Sequence, residues 1–161
     1  MGQMERGATT EEGYGDYFAW GAIYPQFEYL TSNYQEGSIS GDLDATHDVA
    51  FQKMGSEWHI PTKSDLEILK ARISSTTWKN NYNGTGVNGH LITADNGTDT
   101  LFLPAAGYWG GALYMAGDYG DFWSSTYVNT QDTWTLSFAD RDPGVNCSYR
   151  DGGLSVRPVR N

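Results

Sequence analysis

The sequence predicts an α+β domain: two short helices early in the chain, then a loop-rich antiparallel sheet. Three observations carry this expectation. Capped stretches with apolar residues at helical spacing lie in the first half. Period-two alternation and a hairpin signal lie in the second. Twenty glycines against five prolines imply many turns joining short elements.

The elements follow in chain order. Asp44 or Thr46 is placed to cap a first helix through Val49, Ala50 and Met54, with Gly55 as its stop. Thr62 caps the second helix, with Asp65 three residues later in a capping-box arrangement and Pro61 just before the cap. Leu66, Leu69 and Ile73 then repeat at helical spacing, so one face packs inward. Beyond them, His90 to Thr93 and Thr100 to Leu103 flank Asp95-Asn96-Gly97, which reads as a hairpin. Trp134, Leu136 and Phe138 alternate with Thr133, Thr135 and Ser137, which predicts a half-buried strand. Leu154 and Val156 alternate in the same way before Pro158, and this last strand should pair inside the sheet. Trp58, Trp123 and Phe138 are expected in the core.

Composition narrows the function. At 161 residues the chain reads as one domain, residues 1–161, able to bury roughly 70% of its unfolded surface without staples. A net charge of −10 repels phosphate backbones and anionic lipid surfaces, so neither nucleic acid nor membrane is an expected partner. No apolar run approaches the ~20 residues that direct membrane insertion requires, and no signal peptide is visible. Cys147 is the only cysteine, which excludes an intrachain disulfide framework and a thiolate zinc site. Its use as a nucleophile needs a base that nothing in the sequence supplies.

Other chemical motifs are weak. His47, His59 and His90 show no ligand spacing. Asp118 with Asp121, and Asp140 with Asp142, are acidic pairs that suit calcium, a glycosidase or merely a solvated loop. Gly107 to Gly120 is glycine-rich but carries rings and Asp118 rather than Lys or Arg, unlike a phosphate cradle. No catalytic residue, metal or cofactor is implied.

Charge type and side-chain chemistry shift along the chain. Every lysine and glutamate lies at or before Lys79; beyond it the acids are Asp and the bases Arg. Asn, Asp, Tyr, Ser, Thr and Gly dominate that second half, as they do in adaptable binding loops.

An ordered series of motifs resembles a known family. Gly15-Asp16-Tyr17-Phe18-Ala19-Trp20-Gly21 comes first, then Asp48-Val49-Ala50 and Trp58-His59-Ile60-Pro61-Thr62. Asn88-Gly89, Leu101 to Tyr108, Phe122-Trp123-Ser124-Ser125-Thr126 and Ser155-Val156-Arg157-Pro158-Val159 follow. Together they resemble the Fibrobacter succinogenes major paralogous domain, frequent in gut Bacteroidetes and their phages. His59 and Trp109 stand where that family often has Arg, and the lead-in is shorter than usual, as in a truncated start. The resemblance implies a C-type-lectin-like fold, with two helices packed on a twisted antiparallel sheet with long loops. It also implies display at a cell surface, in secreted form or on a phage virion. Some such proteins are similar to the variable proteins of diversity-generating retroelements, whose C-terminal residues vary on a fixed scaffold. Those residue types fill Tyr127 to Gly152 here.

The expected function is therefore a display domain that recognises a protein or glycan, and not an enzyme. A carboxylate-pair hydrolase and a structural surface module are the alternatives. The expected binding face comes from the loops after Tyr108 and after Thr126. Its contacts are Trp109, Tyr114, Tyr119, Tyr127, Asn129, Asp132, Asp140, Asn146, Ser148, Tyr149 and Asp151. They lie between the scaffold motifs and mix rigid aromatic anchors with adaptable polar groups. Their aspartates favour cationic or hydroxyl-rich partners.

Overall fold

In the computed structural model, which describes residues 8–26 and 28–161, helix α1 spans Val49–Met54. Its cap is Asp48 rather than Asp44 or Thr46. The Asp48 carboxylate accepts from the amides of Ala50 and Phe51 at 2.8 and 3.1 Å. Its other oxygen accepts the Ile60 amide at 2.8 Å, which ties α1 to the next segment and rewards burial of this particular acid. Asp44 closes the preceding turn instead, accepting from the Thr46 and His47 amides. Gly55 ends α1 at φ 96°, a conformation that costs glycine little.

Helix α2 spans Lys63–Ala71 with the expected capping box: Thr62 Oγ1 accepts the Asp65 amide and the Asp65 carboxylate accepts the Thr62 amide. Leu66 is buried and Leu69 packs beside it. Ile73 is not helical. It opens a strand, β2 (Ile73–Lys79), that the periodicity did not predict, because Ser74 to Thr77 offer no apolar alternation. Strand β1 is the short Trp58–His59 segment between the helices.

The strands form four hydrogen-bonded groups rather than one sheet. β3 (Gly89–Ala94) and β4 (Thr100–Pro104) make the expected hairpin, and β2 adds to the outside of β3. β5 (Tyr108–Trp109) and β6 (Leu113–Tyr114) form a small hairpin. β7 (Gly120–Tyr127), β8 (Asp132–Phe138) and β9 (Gly144–Tyr149) form an antiparallel meander. β10 (Val159–Arg160) pairs with β1.

The segment before β10 differs from the expected strand. Leu154 bridges Phe18 and Ser155 bridges Phe122, so it lies between the N-terminal segment and β7 by isolated bridges. Leu154 is buried there and Val156 is partly buried.

Two apolar clusters meet at β7. Trp123 joins Phe18, Trp20, Val49, Ala50, Ile60 and Leu154. Phe122, one residue earlier, joins Leu66, Ile92, Leu103, Leu136 and Phe138 on the opposite face. Trp58 is only half-buried and packs against the first cluster from outside, a correction to its expected burial. β8 is also more deeply placed than its alternation implied. Thr133, Thr135 and Ser137 are buried along with Leu136 and Phe138, while Trp134 is half-buried beneath Lys63 Nζ, 3.9 Å from its ring. Among the described residues, no helix is long and apolar enough to cross a membrane.

Candidate functional site

Register decides which C-terminal side chains meet. On the β7–β8–β9 meander, Asp121 lies opposite Ser137, Thr135 opposite Asn146, and Thr133 opposite Ser148. Directly opposed residues share a face, so Asp121, Thr133, Thr135, Ser137, Asn146 and Ser148 form one polar face. Asn146 Nδ2 donates to Ser137 Oγ at 2.7 Å.

Asp121 is the unusual member. It is 4% exposed, and although the Thr135 and Ser148 hydroxyls lie close enough to favour its charged form, neither its Oδ1 nor Thr135 Oγ1 makes a hydrogen bond of full geometry among the described residues. Burial pushes its pKa up to about 7, and the Thr135 and Ser148 hydroxyls pull it down only in part. Tyr119 is half-buried nearby, its phenol raised by burial and by the charge of Asp121.

A chain of rings runs outward from Tyr119. Its ring meets Tyr108 edge-on at 6.1 Å, and Tyr108 meets Tyr114 at 5.7 Å. Tyr114 is 47% exposed, with Leu113 and Met115 exposed on either side. The loop that presents them is held firmly. Gly117 donates to Ala105 O at 2.7 Å, and Asn88 Nδ2 donates to Gly117 O at 2.9 Å. Gly107, at φ 69°, passes so close that a Cβ would stand 2.2 Å from Tyr114 O. Met115 itself sits at φ 54°, a costly conformation outside glycine. Trp109, on the other side of this hairpin, packs against Tyr17 and Tyr29 and pairs its backbone with Gly153. It is half-buried scaffold more than an open contact.

Tyr127, Asn129, Asp132, Tyr149 and Asp151 gather at the other end of the meander, around the β7–β8 turn. Asn129 Oδ1 accepts from the Gln131 and Asp132 amides, and its Nδ2 donates to Asp132 Oδ2 at 3.0 Å, so both side chains shape the turn. Asp151 accepts a hydrogen bond from Thr31 Oγ1. Tyr149 is 69% exposed. Tyr127 packs 6.3 Å from the Trp20 ring and 5.6 Å from the Arg150 guanidinium.

Arg150 escaped the sequence reading, because nothing in a loop-like run marks one Arg as internal. It is 1% exposed, 4.4 Å over the Trp20 ring, and donates to Tyr34 Oη, Asn129 O and Glu36 O. These contacts stitch the β7–β8 turn to the N-terminal third of the chain. Asp140 stands apart, exposed in the β8–β9 turn at the far end of β8. The structure thus brings Tyr119, Asn146 and Ser148 to one polar face and five further residues to one sheet end, with Trp109 and Tyr114 on opposite sides of a hairpin.

The acidic pairs separate by environment: Asp118 is exposed and Asp121 buried, whereas Asp140 and Asp142 are both exposed. Among the described residues, no group of three or more His, Cys, Asp and Glu side chains is arranged to hold a metal ion. Cys147 is exposed on β9, and burial of its thiol together with the charge of Asp132 holds its pKa above the usual value. Compared with family models, curated proteins and solved structures, the chain matches none of them.

Proposed function

We propose that the chain is a ligand-binding display domain of C-type-lectin-like fold. It recognises a protein or glycan through its C-terminal loops, in the manner of retroelement variable proteins, at a cell surface, in secreted form or on a virion. The observation that carries the reading is the exposure of Tyr114 and Tyr149 on hydrogen-bonded strands, beside a buried polar face. Exposed rings on a stiff frame offer contact area at low entropy cost. The Tyr114 ring meets Tyr108 on one side and is 47% exposed, and Tyr149 is 69% exposed.

A hydrolase is the weaker reading. Asp121 has the raised pKa of a general acid, but burial raises it, and no neighbouring carboxylate contributes. Its Oδ1 is also closed to solvent.

The test is a Tyr114→Ala, Asn146→Ala, Tyr149→Ala triple variant, compared with the parent on a glycan array and an array of purified surface proteins. Tyr127 is left intact, because it packs on Trp20 and Arg150. The expected result is saturable binding by the parent and its loss in the variant, with melting within a few degrees. Binding that survives the triple change, or no saturable binding on either array, overturns the reading.

A further inference from the structure

A cleft of about 680 Å³ opens away from the C-terminal loops, between residues 8–18, α1 and the chain's final turn. Its volume lies within the roughly 300–1,000 Å³ typical of small-molecule sites. Phe18, Val49, Ala50, Trp58, Phe122 and Val156 supply apolar walls. Several of these belong to the core clusters, so the walls are fixed by packing on both faces of β7.

Two cations line this cleft: Lys53, whose Nζ lies 4.6 Å from the centre of the Tyr24 ring, and Arg157. Arg157 is half-buried and has neither an ion pair nor a hydrogen bond to any described residue. The contrast is Arg150, seven residues earlier, which is fully buried and makes three hydrogen bonds. Glu11 also lines the cleft and its charge is felt at Arg157. It is not within ion-pair distance, and its Oε1 accepts from Tyr82 Oη at 2.9 Å. Burial pulls the Arg157 guanidinium down from its usual range, yet an Arg stays charged under any working condition. Its guanidinium nitrogens are not sealed from solvent, so water meets these donors until a ligand oxygen takes its place.

We infer that this cleft binds a small molecule with an apolar body and a single carboxylate, the carboxylate accepting from Arg157 and the body lying on the aromatic and aliphatic walls. Guanidinium and carboxylate match in a planar two-pronged geometry, which selects a carboxylate over a neutral or cationic head. Two acids, Glu11 and Asp16, and two bases, Lys53 and Arg157, line the cleft, so its local charge is balanced where the chain as a whole carries −10, and a carboxylate is held there by direct pairing with Arg157 rather than by the surrounding field. The site does not depend on the partner-binding face and uses none of its residues.

Octanoate is the probe, titrated by calorimetry into the intact protein, with 1-octanol as its neutral counterpart. Octanoate is expected to bind saturably at one site and at least ~10-fold more tightly than octanol, as a single charge-assisted hydrogen bond predicts. Arg157→Met keeps an apolar stem of similar length, and should bring octanoate down to the affinity of octanol with little change in melting. Equal binding of the two probes, no saturable octanoate binding into the millimolar range, or unchanged binding in a folded Arg157→Met variant overturns the proposal. If that variant does not fold, the comparison of the two probes on the parent protein decides the matter by itself.

Discussion

The two faces of the β7–β8–β9 meander are built on opposite principles. One face sets Phe122, Leu136, Phe138 and Val145 against α2 and the β3–β4 hairpin, where each buried side chain gains from leaving water. The other buries Asp121, Thr133, Thr135 and Ser137, with Trp123 as its large apolar member. Burying polar groups costs free energy unless they are well hydrogen-bonded, and among the described residues Asp121 Oδ1 and Thr135 Oγ1 lack a partner of full geometry. The first face gains from burial along its whole length. The second gains it through Trp123, which packs on Phe18, Trp20 and Leu154, while its buried carboxyl opposes the same burial.

The comparison is broken most severely through its apolar members. Phe138→Ala and Trp123→Ala should each cost ~3–5 kcal/mol, as large core deletions do, because both rings are almost wholly buried. Urea denaturation checks this. A shift below ~1 kcal/mol in either variant would mean that the meander is not the centre of the core.

The polar face should reveal itself by pH. The folded pKa of Asp121 is raised from 3.8 to about 7. Between those values the folded state keeps a proton that the unfolded state has released. Stability from this group is therefore present at low pH, falls as pH rises through that window, and levels off above it. The loss is on the order of a few kcal/mol. Asp121→Asn should remove this component from a stability–pH curve, and identical curves for parent and variant would refute the burial argument.

Smaller effects separate scaffold from display at the β7–β8 turn. Arg150→Met should cost ~1–3 kcal/mol by stranding the oxygens to which the guanidinium donates. Tyr149→Ala, one residue away and 69% exposed, should stay within ~0.5 kcal/mol. Equal melting shifts in the two variants would erase the distinction between neighbours on which the proposed display surface depends.

How much of this was legible beforehand varies with the range of the interaction. The second helix, with its Thr62–Asp65 box, and the Asp95-Asn96-Gly97 hairpin depend on contacts a few residues apart, and both stand in the structure. The first helix was legible, but its cap was not, since Asp44 and Asp48 are equivalent until the Ile60 amide arrives to bind one of them. β2 was missed because its polar residues earn their strand geometry from β3 alongside. Within the candidate site, the sequence reading named Tyr114 and Tyr149 among the contacts, and both are exposed. It also placed Trp109 and Tyr127 there, though packing on Tyr17, Tyr29, Trp20 and Arg150 holds those rings in the scaffold.

By itself the sequence determined the α+β class, the caps and turns that act locally, the acidic charge that repels phosphate, and the aromatic and polar chemistry of the C-terminal half. Only the tertiary structure decided which of those side chains share a face. Alternation along β8 announced one buried side, and in the folded chain Thr133, Thr135 and Ser137 on the other side are buried as well. The same holds for Arg150 and Arg157. Two arginines seven residues apart look alike in the sequence, yet one is enclosed by rings and oxygens while the other lines a cleft with its donors unused. That difference arises from segments more than a hundred residues away, which the chain places beside the two arginines only when it folds.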